Sequence, residues 1–118
     1  MKKICDFIEA SATMVDRRLE PTDETTYLIT LKNKSNLYTA ANVVATIGLV
    51  GGAVDGIKVT PDDRFFGTIP PKKSVTKEIS ILTERVDEGD YRLCYHLNFS
   101  AMYEKCEGEE TTFEVVKD

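Results

Sequence analysis

Cys5, Cys94, Cys106 and the single histidine, His96, are the side chains best equipped for chemistry in this 118-residue sequence. Cys94 and His96 stand two apart, and on an extended chain such residues share a face. A structural zinc site takes four protein ligands, and a catalytic one takes three with a water. Cys5 and Cys106 are the remaining soft partners, and no Cys-x-x-Cys pair occurs. A cysteine nucleophile needs a base beside it. Cys94 lies about 7 Å from His96 along a strand, too far for a direct hydrogen bond. Cys106, on the connection that follows, is the thiol that could reach. The simpler reading is a half-buried thiol beside a surface histidine. No catalytic residue, metal ligand or cofactor is therefore assigned, and the binding residues stay open.

Acidic side chains cluster at Asp62-Asp63 and at Glu107-Gly108-Glu109-Glu110. Calcium draws oxygens from such loops, but neither cluster has the Asp-x-Asp-x spacing of a dedicated calcium loop. Solvated loops account for both. Gly51-Gly52 is too short to cradle a phosphate and leads into no helix, so it reads as a turn. Phe65-Phe66, Leu37-Tyr38 and Met102-Tyr103 place apolar groups near connections. The simpler reading makes them plugs at the ends of a core, and the other makes them a contact surface.

Twenty acids against 15 bases give a net charge of -5. Lys72-Lys73 and Arg17-Arg18 are isolated pairs, not the basic footprint that binding phosphates requires, which argues against nucleic acid. Apolar residues at 42% and charged residues at 30% suit one globular domain over residues 1–118. No apolar run approaches the roughly 20 residues of a spanning helix, so no membrane insertion is expected. Met1-Lys2-Lys3-Ile4 starts like a signal peptide, but Asp6 and Glu9 interrupt its apolar part. The expectation is a cytoplasmic protein or a piece of a longer exported one. An odd cysteine count leaves at least one thiol free. Three reduced thiols are the simpler expectation, and a Cys94–Cys106 bridge across a hairpin is the alternative.

The elements that must position these groups are strands. Tyr91, Leu93, Tyr95, Leu97 and Phe99 alternate with Arg92, Cys94, His96, Asn98 and Ser100, which predicts a long strand with one dry face. Cys5 to Val15 predicts a first, edge strand able to switch sheets at a bulge. Residues 17–23 read as a turn around Pro21. Thr25 to Lys32 predicts a second strand. The third runs from Ala41 to Leu49, with Ala41, Val43, Ala45, Ile47 and Leu49 inward. Short strands follow at Ile57 to Thr60 and Arg64 to Ile69, then a longer one from Ser74 to Leu82. Met102 to Gly108 reads as a polar connection, and Thr111 to Val116 closes the chain with Phe113 and Val115 inward. Seven or eight such strands predict an all-β, two-sheet sandwich, with a closed barrel as the rival.

Three blocks resemble the CARDB/NEW3-type immunoglobulin-like repeat domains of microbial surface proteins. They are Leu31-Lys32-Asn33-Lys34-Ser35-Asn36 with Ala40 to Thr46, Phe66 to Val75 around Pro70-Pro71, and Glu88-Gly89-Asp90-Tyr91-Arg92-Leu93. Asn33 and Asn36 would satisfy backbone groups in an inter-strand turn, and Gly89 would let the chain reverse ahead of Tyr91. Lys72 and Ser35 stand where the family has glycine, and Glu88 where it has proline. The resemblance implies an immunoglobulin-like sandwich of about seven antiparallel strands. It also implies a non-catalytic binding, adhesion or spacer module within a larger exported or cell-surface protein. Its partner would be a protein or a carbohydrate. The alternative is a free-standing cytoplasmic interaction domain that pairs, as a homodimer, through an edge strand.

Overall fold

Period-two alternation governs nearly the whole chain. The structure, a computed structural model, describes residues 4–99 and 104–117. Ile4–Asp6 forms one short 3-10 turn. The strands are β1 (Ile8–Met14), β2 (Arg18–Leu19), β3 (Asp23–Asn33), β4 (Ala40–Leu49), β5 (Ile57–Thr60), β6 (Asp63–Ile69), β7 (Ser74–Thr83), β8 (Gly89–Phe99), β9 (Glu104–Glu107) and β10 (Thr111–Val115). One sheet has the order β1-β3-β7-β5. The second has the order β2-β10-β8-β4-β6, with β9 also on β8. Every pairing is antiparallel except β2 with β10. The chain is thus all-β in two packed sheets, an immunoglobulin-like sandwich rather than a closed barrel.

The long strand is as expected. Leu93, Tyr95, Leu97 and Phe99 of β8 are buried, and they meet Tyr27, Ile29, Leu31, Ile79 and Ile81 of the first sheet across one core. Phe113 and Val115 of β10 join it. Each fully buried residue of this size contributes about 1.5–3 kcal/mol by leaving water, so the facing strands hold the sheets together.

The chain passes between the two sheets repeatedly, and two of these passages correct the sequence reading. β1 lies in the first sheet, and after Val15 the chain crosses to put β2 beside β10 in the second. Residues 17–23, expected as a turn, therefore contain a two-residue strand, and it is anchored by the buried Leu19. The second switch is at the cis Thr60–Pro61 bond, between β5 on β7 and β6 on β4. Asp63, read as turn, already belongs to β6.

A bulge corrects the inward set of β4. Asn42 adopts φ 51°, and the register against β6 shifts between Ala40 and Val43. The extra residue reverses the alternation, so Ala40 is buried where Ala41 was expected. Beyond the bulge, Val43, Ala45 and Ile47 point inward as expected.

Residues 104–107, expected in a polar connection, pair with β8 as β9. β9 and β10 lie on the same side of β8, so they are one returning strand interrupted at residues 108–110. Met102 and Tyr103 lie outside the described residues.

The turn chemistry between β3 and β4 is partly as expected. Asn33 is fully buried, and its amide donates to the Tyr38 and Ile69 carbonyls at 2.8 and 2.9 Å. Its own oxygen accepts from the Ser35 amide at 2.9 Å. Ser35, rather than Asn36, closes the turn, its Oγ accepting from the Leu37 and Tyr38 amides. Lys72, which stands where the resembled family has glycine, adopts φ 64°, so the left-handed slot is present here without its usual residue.

Candidate functional site

The cysteines are arranged differently from the expectation. Cys5 and Cys106 form a disulfide with their Cα atoms 5.7 Å apart and a sequence separation of 101. Neither three reduced thiols nor a Cys94–Cys106 bridge describes this chain. A sequence separation that large carries no sign of proximity. The two meet because the turn at Ile4–Asp6 packs against β9, which was itself hidden in an assumed connection.

Cys94 and His96 do share the outer face of β8, both half-buried. The Cys94 thiol donates to the Gly48 carbonyl at 3.6 Å. Burial, then the carboxylates of Glu110 and Glu107, push this thiol's pKa up. A thiol held protonated is a poor nucleophile and a poor ligand. Cys106, the sulfur that could reach His96, is occupied by the disulfide. Among the described residues, no group of three or more His, Cys, Asp or Glu side chains is placed to hold a metal.

The acid clusters and aromatic pairs divide. Asp63 accepts from the Thr46 hydroxyl at 2.7 Å, a local tie between β4 and β6. Phe66 is core, while Phe65 is 60% exposed. Tyr38 stacks on Phe7, their ring centroids 5.6 Å apart, and Leu37 is 82% exposed. The second acid cluster occupies the break between β9 and β10. Glu110 binds Arg92 Nη1 at 3.0 Å. Glu107 and Glu109 are exposed and have no ion-pair partner among the described residues.

That break lies across from β1, and the seam between them is where unspent chemistry collects. Two open clefts run along it. One, of about 380 Å³, has a floor of Ile8, Ala10, Tyr95 and Leu97 and a rim that includes Glu107 and Glu109. The other, of about 460 Å³, is lined by Ala12, Met14, Arg17, Glu110 and Thr111 among others. The disulfide bounds the first cleft, since Cys5 and Cys106 also line it. Gly108 is required there, because a Cβ on it would overlap the tip of the Tyr95 ring.

Beneath the seam are two phenols shut off from water. The Tyr27 and Tyr95 hydroxyls make no hydrogen bond of good geometry. The Thr111 side chain lies near the first and the Glu109 backbone near the second. Burial pushes the Tyr27 phenol up to about 12, with Tyr95 and Cys94 adding to the rise and Thr111 opposing it. Burial, then the Glu109 carboxylate, raises Tyr95 as well. The alternation of β8 put Tyr95 on a dry face, but nothing in the sequence marked the missing partner of either hydroxyl. Small residues at Ala10 and Ala12 on an edge strand were the available sign of a cleft.

No known family matches the chain, and no curated protein is similar to it. Solved structures do share its fold. AvmM, which catalyses macrocyclisation in alchivemycin A biosynthesis, superposes with a TM-score of 0.65 at 10% identity, over 96% of this chain and 90% of that one. A family 123 glycoside hydrolase from Clostridium perfringens gives 0.62 at 14% identity, over 95% of this chain and 27% of that one. A CARDB domain from Pyrococcus furiosus, in complex with di-metal ions, gives 0.54 at 14% identity, over 100% of this chain and 95% of that one. At such identities the likeness speaks for the sandwich alone. The fold is found both in enzymes and in domains whose names carry no reaction, so it does not decide between catalysis and binding.

Proposed function

We propose that this chain is a non-catalytic recognition module, in the manner of CARDB/NEW3-type domains, that works within a larger exported protein and holds an extended peptide along the edge of β1. The observation that carries this reading is the state of the sheet edges. β6 is bulged against β4 and begins with Asp63-Arg64. β5 has four residues, carries Lys58 and ends at Pro61. The β9–β10 edge is broken at Gly108 and partly covered by β2. These are ordinary devices against strand pairing. β1 has seven residues with no proline, glycine, lysine or bulge, and among the described residues nothing pairs with its outer side.

The Cys5–Cys106 disulfide supports the exported setting, since such bonds persist in oxidising compartments. The non-catalytic part is supported by the raised Cys94 thiol and the loss of Cys106 to the disulfide. Selection of random linear peptides on the oxidised protein tests the reading. Selected peptides should slow amide hydrogen exchange at Ala10 and Ala12, and they should lose binding in Ala12→Pro. Peptides that protect amides elsewhere, or that bind Ala12→Pro undiminished, would count against it.

A further inference from the structure

Resting on that reading, we infer that in the absence of peptide the β1 edge is occupied by β1 of a second copy of the chain, the two strands running antiparallel about a two-fold axis at Ser11. The backbone parity of β1 fixes this register. Lys34 N–H donates to Phe7 O at 2.8 Å, and Val15 N–H donates to Thr26 O at 2.9 Å. Bonded and non-bonded pairs alternate in an antiparallel ladder, so the odd residues of β1 bond β3. The even residues turn their N–H and C=O groups to the free side. Two copies therefore bond only where even meets even. With the axis at Ser11 the whole of β1 overlaps, Ile8 bonding the partner's Met14 and Ala10 the partner's Ala12. Moving the axis to Ala10 or to Ala12 keeps the parity but leaves Met14 or Ile8 without a mate in β1.

The side chains accept that register on both faces. On the inner face the two alanines meet beside the axis, and the larger Ile8 and Met14 meet at its ends. On the outer face Ser11 meets the partner's Ser11 and Glu9 meets the partner's Thr13, so no like charges stand opposite each other. Glu9 also keeps Lys32 beside it on its own chain. Ser11 is the register partner of Thr30, whose hydroxyl already bonds that of Thr76 at 2.8 Å. The pairing would carry this uncharged row of hydroxyls across the axis from one copy to the other. It joins the first sheets of both copies into one and removes both open edges. A seven-residue strand from each copy covers less than the roughly 1,200 Å² of a stable interface, so the pair is weak and a peptide can displace it. The net charge of -5 on each copy opposes approach, and salt near about 0.15 M screens it.

Sedimentation and amide hydrogen exchange of the oxidised protein at that salt, over a range of concentrations, test the inference. A dimer should form as concentration rises, and the Ala10 and Ala12 amides should gain protection with it. The Ser11 and Thr13 amides, already bonded to β3, should not change. Ser11→Lys and Ser11→Glu alter an exposed position, and each should weaken the dimer about fivefold by setting like charges opposite each other. Mixing the two variants should restore association. A mixture no better than either variant alone overturns the inference, as does a dimer whose Ala10 and Ala12 amides stay unprotected. A chain that remains monomeric while selected peptides still protect Ala10 and Ala12 overturns the second copy but leaves edge recognition standing. A monomer whose β1 no peptide protects overturns both.

Discussion

Asn33 shows how much one polar side chain can hold in a sandwich. Its amide and carbonyl close three hydrogen bonds that tie the end of β3 to the following turn and to the end of β6. In Asn33→Ala the Tyr38 and Ile69 carbonyls lose their donor in a buried site, which costs about 3 kcal/mol. Urea unfolding should show this as a lower midpoint with an unchanged slope. Tyr27 is the opposite case, a buried hydroxyl with no proper partner. Tyr27→Phe should leave stability unchanged or raise it by about 1 kcal/mol. The same burial makes the fold sensitive to alkali. Burial pushes the folded phenol up to about 12 from its ordinary 10.0, so the fold favours the neutral form. That stabilisation is complete below about pH 10 and is lost as pH rises toward 12. Unfolding free energy measured across this window should fall in the wild type and fall less in Tyr27→Phe.

At the scale of the element, the break between β9 and β10 is the feature with most consequence. The returning strand opens at residues 108–110, and the Tyr95 ring tip occupies the space under Gly108. Gly108→Ala forces an overlap at a packed site, and such overpacking costs about 1–3 kcal/mol. Truncating the ring should relieve it. In a double-mutant cycle with Tyr95→Leu, the cost of Gly108→Ala should largely disappear, whereas two independent sites would simply add. The break also explains how β9 was missed from sequence. Glu104-Lys105-Cys106-Glu107 has no apolar alternation, and it becomes a strand because β8 extends beyond β10 and offers unpaired backbone. The bulge at Asn42 is similar, since no residue pattern marked where the alternation of β4 would slip by one.

At the scale of the molecule, the disulfide closes almost the entire chain. Joining residues 101 apart restricts the unfolded state strongly, and for loops of this length the expected contribution is about 2–5 kcal/mol. Reduction, or Cys5→Ser, should lower the unfolding free energy by that amount. Intact mass should show a deficit of two hydrogens and a single alkylatable thiol, Cys94, that reacts slowly at neutral pH because its pKa is raised. A full complement of three reactive thiols would contradict both the pairing and the oxidising setting proposed for the chain.

The all-β character was legible in the residues alone, because a core face on a strand must repeat every second residue and that repeat is written locally in β3, β7, β8 and β10, whereas the choice of two sheets over a closed barrel came only from the strand pairing. The sequence also determined the turn at Asn33, since an asparagine ahead of a serine carries its own hydrogen-bonding options. Tertiary structure alone decided the rest. The Cys5–Cys106 pair, the two-residue β2, the seam with its acidic rim and the free side of β1 all depend on which strand lies beside which. Those neighbours are distant in sequence, and their meeting is set by the packing of two whole sheets, which no local spacing encodes.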